Sequence, residues 1–453
     1  MKIFFSALAI LFFSNVNAQT DPAITSWLIN TTGETGRHYV EGNSTPINDT
    51  YEVNVSQVQY SDANVYISSS GIPSYIIGPY LDGNPALASD NEWLFKIPRV
   101  PVVNAGSQTS TPLGPIAVLI NGVPVYDYKD GMSYNNQGVW NRDAILNERD
   151  GFDCAKGHPS PIFQGPPGMG QLVGGAYHHH QNPSAFNLDI VEISDVCDLY
   201  LADGLYVIDP TQHSPLLGYA FDGYPIYGAY GYANEDGSGG ITRMISSYKY
   251  RDITVRTHYA DGTDVTDGPA VNAQYPIGTY REDFEFVEGF GTLDIHNGRM
   301  CVTPEYPEGT YAYFTTVDEA HNSFFPYVVG PTYYGIVEQS NFSGPQGNNV
   351  TISEAVSTYN PADFVLNNEV LDMKMTVFPN PSSDFIAVQL NGLAKENISV
   401  ELYDSEGRLQ VSTAINKGST IAHIDVRNLY NGTYTIVFLS SNNRIAKQAV
   451  VTH

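Results

Sequence analysis

With 453 residues, 42% of them apolar, the chain is long enough for two or three domains and apolar enough for sizeable cores. Its formal net charge of −27 repels phosphates, which excludes nucleic acid as a partner and charge-driven docking on anionic lipid. Its 41 glycines, 28 prolines and 32 tyrosines, with few long helical patterns, point to a mostly β fold of strands joined by turns.

Residues 1–18 read as a signal peptide: Lys2 supplies the positive start, Ile3 to Phe13 the apolar stretch, and Val16-Asn17-Ala18 a small-residue cleavage site before Gln19. The expected product is exported. No later run of about 18 apolar residues follows, so no transmembrane segment is expected.

Residues 19–126 read as the N-terminal β-rich part of the main domain. Tyr51 to Tyr60 alternates polar and apolar, and Asn64 to Ile67 follows a turn-prone Ser61-Asp62-Ala63. Trp93 to Pro98 and Ile116 to Tyr126 are short apolar runs bounded by breakers, the second carrying the hairpin signal Asn121-Gly122. From 127 to 335 the composition shifts to Gly, His, Asp and Tyr. An irregular stretch rich in ligand-type side chains is where loops on a rigid scaffold place function.

Within that stretch, Gly174 to Pro183 concentrates three of the eleven histidines. In a strand, successive side chains point to opposite faces, so His178 and His180 share one face while Tyr177 and His179 take the other. Two imidazoles on one face make half a metal site; the alternative is a polar strand end whose histidines do nothing. The other candidates lie elsewhere in the chain. His158, between Gly157 and Pro159, is either a ligand on a fixed backbone or a plain turn residue. His296 follows Asp294 at strand spacing, which lets a carboxylate orient an imidazole. Asp222, in a turn among tyrosines, is either a turn residue or a desolvated carboxyl available as acid or ligand.

Other patterns carry less. Gly168-Met169-Gly170 lacks dinucleotide-binding glycine spacing, the acidic turns around Asp236 and Asp261 lack calcium-loop spacing, and no Gly-x-Ser-x-Gly elbow occurs. Three cysteines, Cys154, Cys197 and Cys301, allow one disulfide and leave one thiol, and the spacing does not say which.

Residues 336–372 read as a linker, and 373–453 return to short alternating strands of a small C-terminal β-sandwich. That unit carries Val377-Phe378-Pro379-Asn380-Pro381, Leu402 to Arg408 and Leu429 to Tyr434. On these marks it resembles the type A sorting domain of the type IX secretion system. The resemblance implies the type IX secretion machinery as partner, and release from the cell or attachment to its outer surface.

The central region carries Asp153 to Pro159, Tyr177-His178-His179-His180, Leu217 to Gly228, Leu293 to Arg299 and Thr303 to Phe314 in that order. On these pieces it resembles the YHYH domain family. It departs from the family motif at His179, where a tyrosine is expected, and in Tyr311-Ala312-Tyr313-Phe314, which lacks a second pair of histidines. The resemblance names a domain and implies no particular reaction.

Two functions follow as expectations. One is a secreted metal-binding β-domain, with His178 and His180 joined by His158 or His296 and by Asp222, nitrogen-rich ligation favouring copper or zinc. The other is a non-catalytic surface or matrix-binding module with structural histidines and tyrosines lining a contact. Converging histidines favour the first, scattered ones beside an exposed aromatic strip the second.

Overall fold

The computed structural model describes residues 21–165, 170–186, 189, 194–342, 349–361, 375–390, 394, 397–404, 407–440 and 443–453. The expected signal peptide and its cleavage site lie outside them. The chain divides into two units, Met1–Tyr359 and Asn360–His453. In both, strands make up most of the regular secondary structure.

The first unit holds a four-stranded and an eight-stranded sheet. Strands β1 (Val55–Tyr60), β2 (Asn64–Ser69) and β3 (Trp93–Pro98) pair antiparallel in sequence. In β3 the alternation read from the sequence is literal: Trp93, Phe95 and Ile97 are buried while Leu94, Lys96 and Pro98 are half-buried. The larger sheet begins with β4 (Pro115–Leu119) and β5 (Pro124–Tyr126), joined through the Asn121-Gly122 turn. Gly122 sits at φ +78°, and a Cβ there would fall 2.1 Å from Ser69 Oγ, so this turn tolerates only glycine.

The next strands are β6 (Gly157–Gln164), β7 (Gln171–His179), β8 (Leu216–Ala220), β9 (Pro225–Tyr227), β10 (Gly298–Cys301) and β11 (Thr310–Phe314). The sheet order is β6-β7-β5-β4-β8-β9-β11-β10. Strands β4 and β5 lie at its centre, so the boundary drawn at 126/127 runs through one sheet. Val118, Val125, Tyr219, Ile226 and Tyr313, all buried, contribute to a continuous core with Val58, Ile67 and Phe95 of the smaller sheet. Each such side chain stabilises by about 1.5–3 kcal/mol relative to an exposed one.

Within the expected linker, residues up to Tyr359 belong to the first unit. Strand β12 (Ser357–Tyr359) pairs antiparallel with the outer side of β1. Asn341 donates to the carbonyl of Lys96 at 2.7 Å and accepts its N–H at 3.0 Å, and Tyr66 Oη donates to Glu354 at 2.6 Å. These polar residues supply hydrogen bonds to sheet groups, which is why the stretch lacks the apolar runs that mark a strand.

Cys154 and Cys197 form the disulfide, with Cα atoms 5.2 Å apart, and the remaining thiol, Cys301, is buried. The bridge lies in a second core with Phe152, Phe186, Val196 and Tyr200. The second unit is a sandwich of a three-stranded sheet (Met375–Phe378, Phe385–Leu390, Ile421–Asp425) and a four-stranded sheet (Ile398–Tyr403, Leu409–Ile415, Gly432–Ser440, Asn443–Val451). Ile386, Val388 and Ile424 of one sheet share a core with Val400, Leu402, Ile436 and Phe438 of the other.

Candidate metal centre

The site is built on the β6/β7 pair. Their antiparallel register sets His158 directly opposite His178, with Gly157 opposite His179. Directly opposed residues on neighbouring strands project to the same face. Alternation along β7 then places His178 and the residue just past the strand, His180, together. The ring centroids of His158, His178 and His180 lie 4.7 to 5.5 Å apart.

A fourth group comes from a single helical turn, α1 (Ala144–Asn147). Asp143 caps it, its carboxylate accepting from the N–H groups of Ile145 and Leu146 and from Tyr327 Oη. Burial pushes the Asp143 carboxyl up to about 7. The turn closes with the N–H of Glu148 donating to the carbonyl of Ala144 at 2.8 Å, which aims Glu148 at the histidines. Its Oε2 lies 3.1 Å from Nε2 of His158 and 3.1 Å from Nε2 of His180. Among the described residues, Glu148, His158, His178 and His180 offer ligand atoms that all lie within 4.8 Å of one another.

The proton positions follow from the partners. His178 Nδ1 faces the carbonyl of Ala176 at 2.9 Å, and His180 Nδ1 faces the carbonyl of Asp127 at 2.6 Å. A carbonyl only accepts, so each Nδ1 carries the proton and each neutral ring presents a bare lone pair at Nε2. Those two Nε2 atoms are 3.0 Å apart. Two lone pairs at that distance repel unless a cation stands between them, either a proton on one ring or a metal ion. His158 Nε2 and Glu148 Oε2 are buried with no hydrogen bond of acceptable geometry. Three imidazole nitrogens and one carboxylate oxygen therefore face a common point.

The electrostatics agree. Burial lowers His180, but the Glu148 carboxylate outweighs it and holds the imidazole above its ordinary value. Burial lowers His158 despite Glu148, and burial together with the charges of His158 and His180 holds His178 well below the usual histidine range. Burial would raise Glu148, yet His180 and the contacts with both histidines hold its carboxyl well below the usual carboxylate range. His180 and Glu148 thus shift in opposite directions, each favouring its charged form beside the other.

The group fits a small divalent ion. Bonds of about 2.0–2.1 Å in a tetrahedron keep ligand atoms about 3.3 Å apart. Three of the six edges here, 3.0 Å and twice 3.1 Å, need to open by a few tenths of an ångström, and the other three lie within 4.8 Å. Tyr126 stacks flat on His178 at 3.8 Å between centroids, and Phe152 meets His158 edge-on at 4.7 Å. These rings fix the imidazoles before any ligand arrives. One side stays open, to a cleft of about 600 Å³.

The remaining candidates stand apart. His179 faces the other way: its Nε2 meets Tyr75 Oη at 2.6 Å and its Nδ1 the carbonyl of Lys156 at 3.1 Å, and burial lowers it to about 3. The structure does not bring His296 into the group. Its Nδ1 faces Thr332, 2.8 Å from Oγ1, in a turn where Asp294 accepts from the N–H of His296 and from Tyr311 Oη instead of orienting the ring. Nor does it bring in Asp222, which is fully buried and accepts from Tyr313 Oη at 2.6 Å and the N–H of Gly335 at 2.8 Å. Burial pushes that carboxyl up to about 6, but its partners tie the β8/β9 turn to β11. Glu148 was missed: one acid in Asn147-Glu148-Arg149-Asp150 reads as a solvated charge run, and only the Asp143 cap five residues earlier hints at a fixed orientation.

Comparison with known families bears on the whole constellation. The profile of the family described as YHYH protein matches residues 94–325, half of the chain. This chain belongs to the YHYH family. Within the YHYH match fall β4 to β11, the Glu148 turn and all three converging histidines. Residues 376–452 match the family described as a secretion system C-terminal sorting domain, which covers most of the second unit. No curated protein matches the chain. No helix among the described residues is long and apolar enough to cross a membrane.

Proposed function

We propose that this YHYH protein is an exported metal-binding protein that holds zinc or copper through Nε2 of His158, His178 and His180 and a carboxylate oxygen of Glu148. The observation that carries the reading is the pair of bare Nε2 atoms of His178 and His180, 3.0 Å apart, beside a histidine nitrogen and a carboxylate oxygen that lie 3.1 Å from each other without the geometry of a hydrogen bond. Three imidazoles and one carboxylate suit zinc or copper better than calcium or magnesium, which prefer oxygen. The convergence of the histidines supports this reading over a surface module with structural histidines. Export through the type IX secretion machinery, after removal of residues 1–18, and delivery to the medium or the outer cell surface are part of the same proposal. They rest on the leader pattern and the sorting domain.

Cobalt substitution tests the site without presupposing a reaction. A metal-free sample given one equivalent of Co²⁺ should develop visible d–d absorption of a four- or five-coordinate ion, and the His158→Ala variant should not. An unchanged spectrum in wild type, or the same spectrum in the variant, would count against this ligand set.

A further inference from the structure

Behind the turn that carries Glu148 lies a second cavity, of about 150 Å³. The segment from Asp143 to Phe152 separates the two spaces: Asn147, Glu148, Asp150 and Gly151 line the cleft of the histidines, while Ile145, Leu146, Arg149 and Phe152 line the second cavity. His180 and Gln181 divide in the same way. Exposed Leu146, Tyr250 and Pro276 form the mouth of the second cavity, and the buried rings of Phe152, Phe186, Phe284 and Tyr327 form its floor.

Two polar atoms in this apolar lining have no partner. Gln181 is 2% exposed and its Nε2 makes no hydrogen bond, and neither does the buried Oγ of Ser323. A buried amide left unbonded is a cost that a ligand oxygen removes. The charged groups of the lining, by contrast, leave nothing for a charged ligand to neutralise. Asp143 accepts from two N–H groups and Tyr327 Oη, Asp189 holds the ammonium of the fully buried Lys156 at 2.7 Å, and Arg149 lies at the exposed rim. Glu148, and with it an ion at the histidines, stands on the other side of the partition.

An apolar cavity of about 150 Å³ holds one benzene-sized ring. We propose that the second cavity binds a small uncharged phenol, its ring among Phe152, Phe186 and Phe284 and its hydroxyl bonded to the Gln181 amide. Aromatic walls favour an aromatic ring, which they meet edge to face or offset. A phenol hydroxyl both accepts and donates, so it satisfies either end of the amide. The site does not depend on the metal centre, because none of the four proposed ligands lines it.

The test titrates the full mature protein with phenol, benzene, benzoate and benzylamine by calorimetry at pH 7, with and without zinc. Phenol should saturate one site per chain with a Kd of about 1 mM or lower, as so small a ligand allows. Benzene should bind about 5-fold more weakly, the worth of one hydrogen bond, and the two charged compounds more weakly still. Gln181→Met, which keeps the length of the side chain and removes its amide, should bring phenol and benzene to equal affinity. Ser323→Leu, which fills the cavity from a position outside the histidine cleft, should abolish binding of both. If one variant fails to fold, the other and the wild-type ranking still decide. Equal binding of phenol and benzene to wild type, tightest binding of a charged compound, or no saturable phenol binding would overturn the proposal. So would phenol binding that requires zinc, which places the ring at the histidines, or that survives Ser323→Leu.

Discussion

Replacing His178 and His179 by alanine in separate variants removes two adjacent, equally buried imidazoles with opposite consequences. His179→Ala strips Tyr75 Oη and the Lys156 carbonyl of their partner and opens a cavity in the β6/β7 wall. Each unsatisfied group costs about 1–3 kcal/mol, and with the cavity the loss is about 4 kcal/mol of stability. His178→Ala deletes one of two nitrogens that oppose each other across 3.0 Å, so in the metal-free protein part of its packing loss is offset. Its cost there should be about 2 kcal/mol, mostly lost contact with Tyr126. The order reverses with metal. At free zinc 1,000 times the wild-type Kd, binding adds about 4 kcal/mol to wild type and to His179→Ala. With affinity lowered at least about 100-fold by loss of a ligand, His178→Ala gains only about 1.4 kcal/mol at the same zinc concentration. Urea unfolding with and without zinc reads all four quantities. Equal zinc-induced stabilisation of His178→Ala and wild type would refute the ligand assignment, as would its loss in His179→Ala.

Three further outcomes follow from the same geometry. His180 is held above its ordinary value by Glu148, so its charged form stabilises the metal-free protein below the unfolded histidine pKa of about 6.5, and that contribution is lost as pH rises through the higher folded value. Zinc needs the same nitrogen unprotonated, so melting curves with and without zinc should diverge as pH rises across that window; parallel curves would argue against a shared nitrogen. Glu148→Gln should lower zinc affinity about 10 to 100-fold and drop the His180 pKa, read by NMR titration of the ring; an unshifted His180 would contradict the pairing. A chain ending at Asn360 should unfold cooperatively with near-native stability. One ending at Gly335 loses β12 and the Asn341 and Glu354 bonds and should be weaker by several kcal/mol, about 1 kcal/mol for each hydrogen bond removed; equal urea midpoints would place the boundary earlier.

How much of this was readable in the sequence depends on the range of the interaction. The period of two along β7 put His178 and His180 on one face and His179 on the other, because strand alternation is local. Asn121-Gly122 announced its turn for the same reason. His158 remained ambiguous because its partner across the β6/β7 register is set by pairing, which no window along the chain contains. Asp294 and His296 had the right spacing for a strand but lie in a turn, where the carboxylate serves backbone N–H groups first. Glu148 gave no periodic signal at all. Residues 336–359 were polar and looked like a connector, yet the side-chain amides of Asn341 and Asn349 bond sheet groups, which composition does not distinguish from solvation.

The most direct test is elemental analysis of the mature protein, purified without chelator or affinity metal and then dialysed against zinc and, separately, copper. About one zinc or copper per chain should be retained through gel filtration and be absent from a His158→Ala, His178→Ala, His180→Ala variant that keeps the wild-type circular dichroism spectrum. Metal-free protein that takes up neither ion above the level of the triple variant would contradict it, and the facing nitrogens of His178 and His180 would then hold a proton alone.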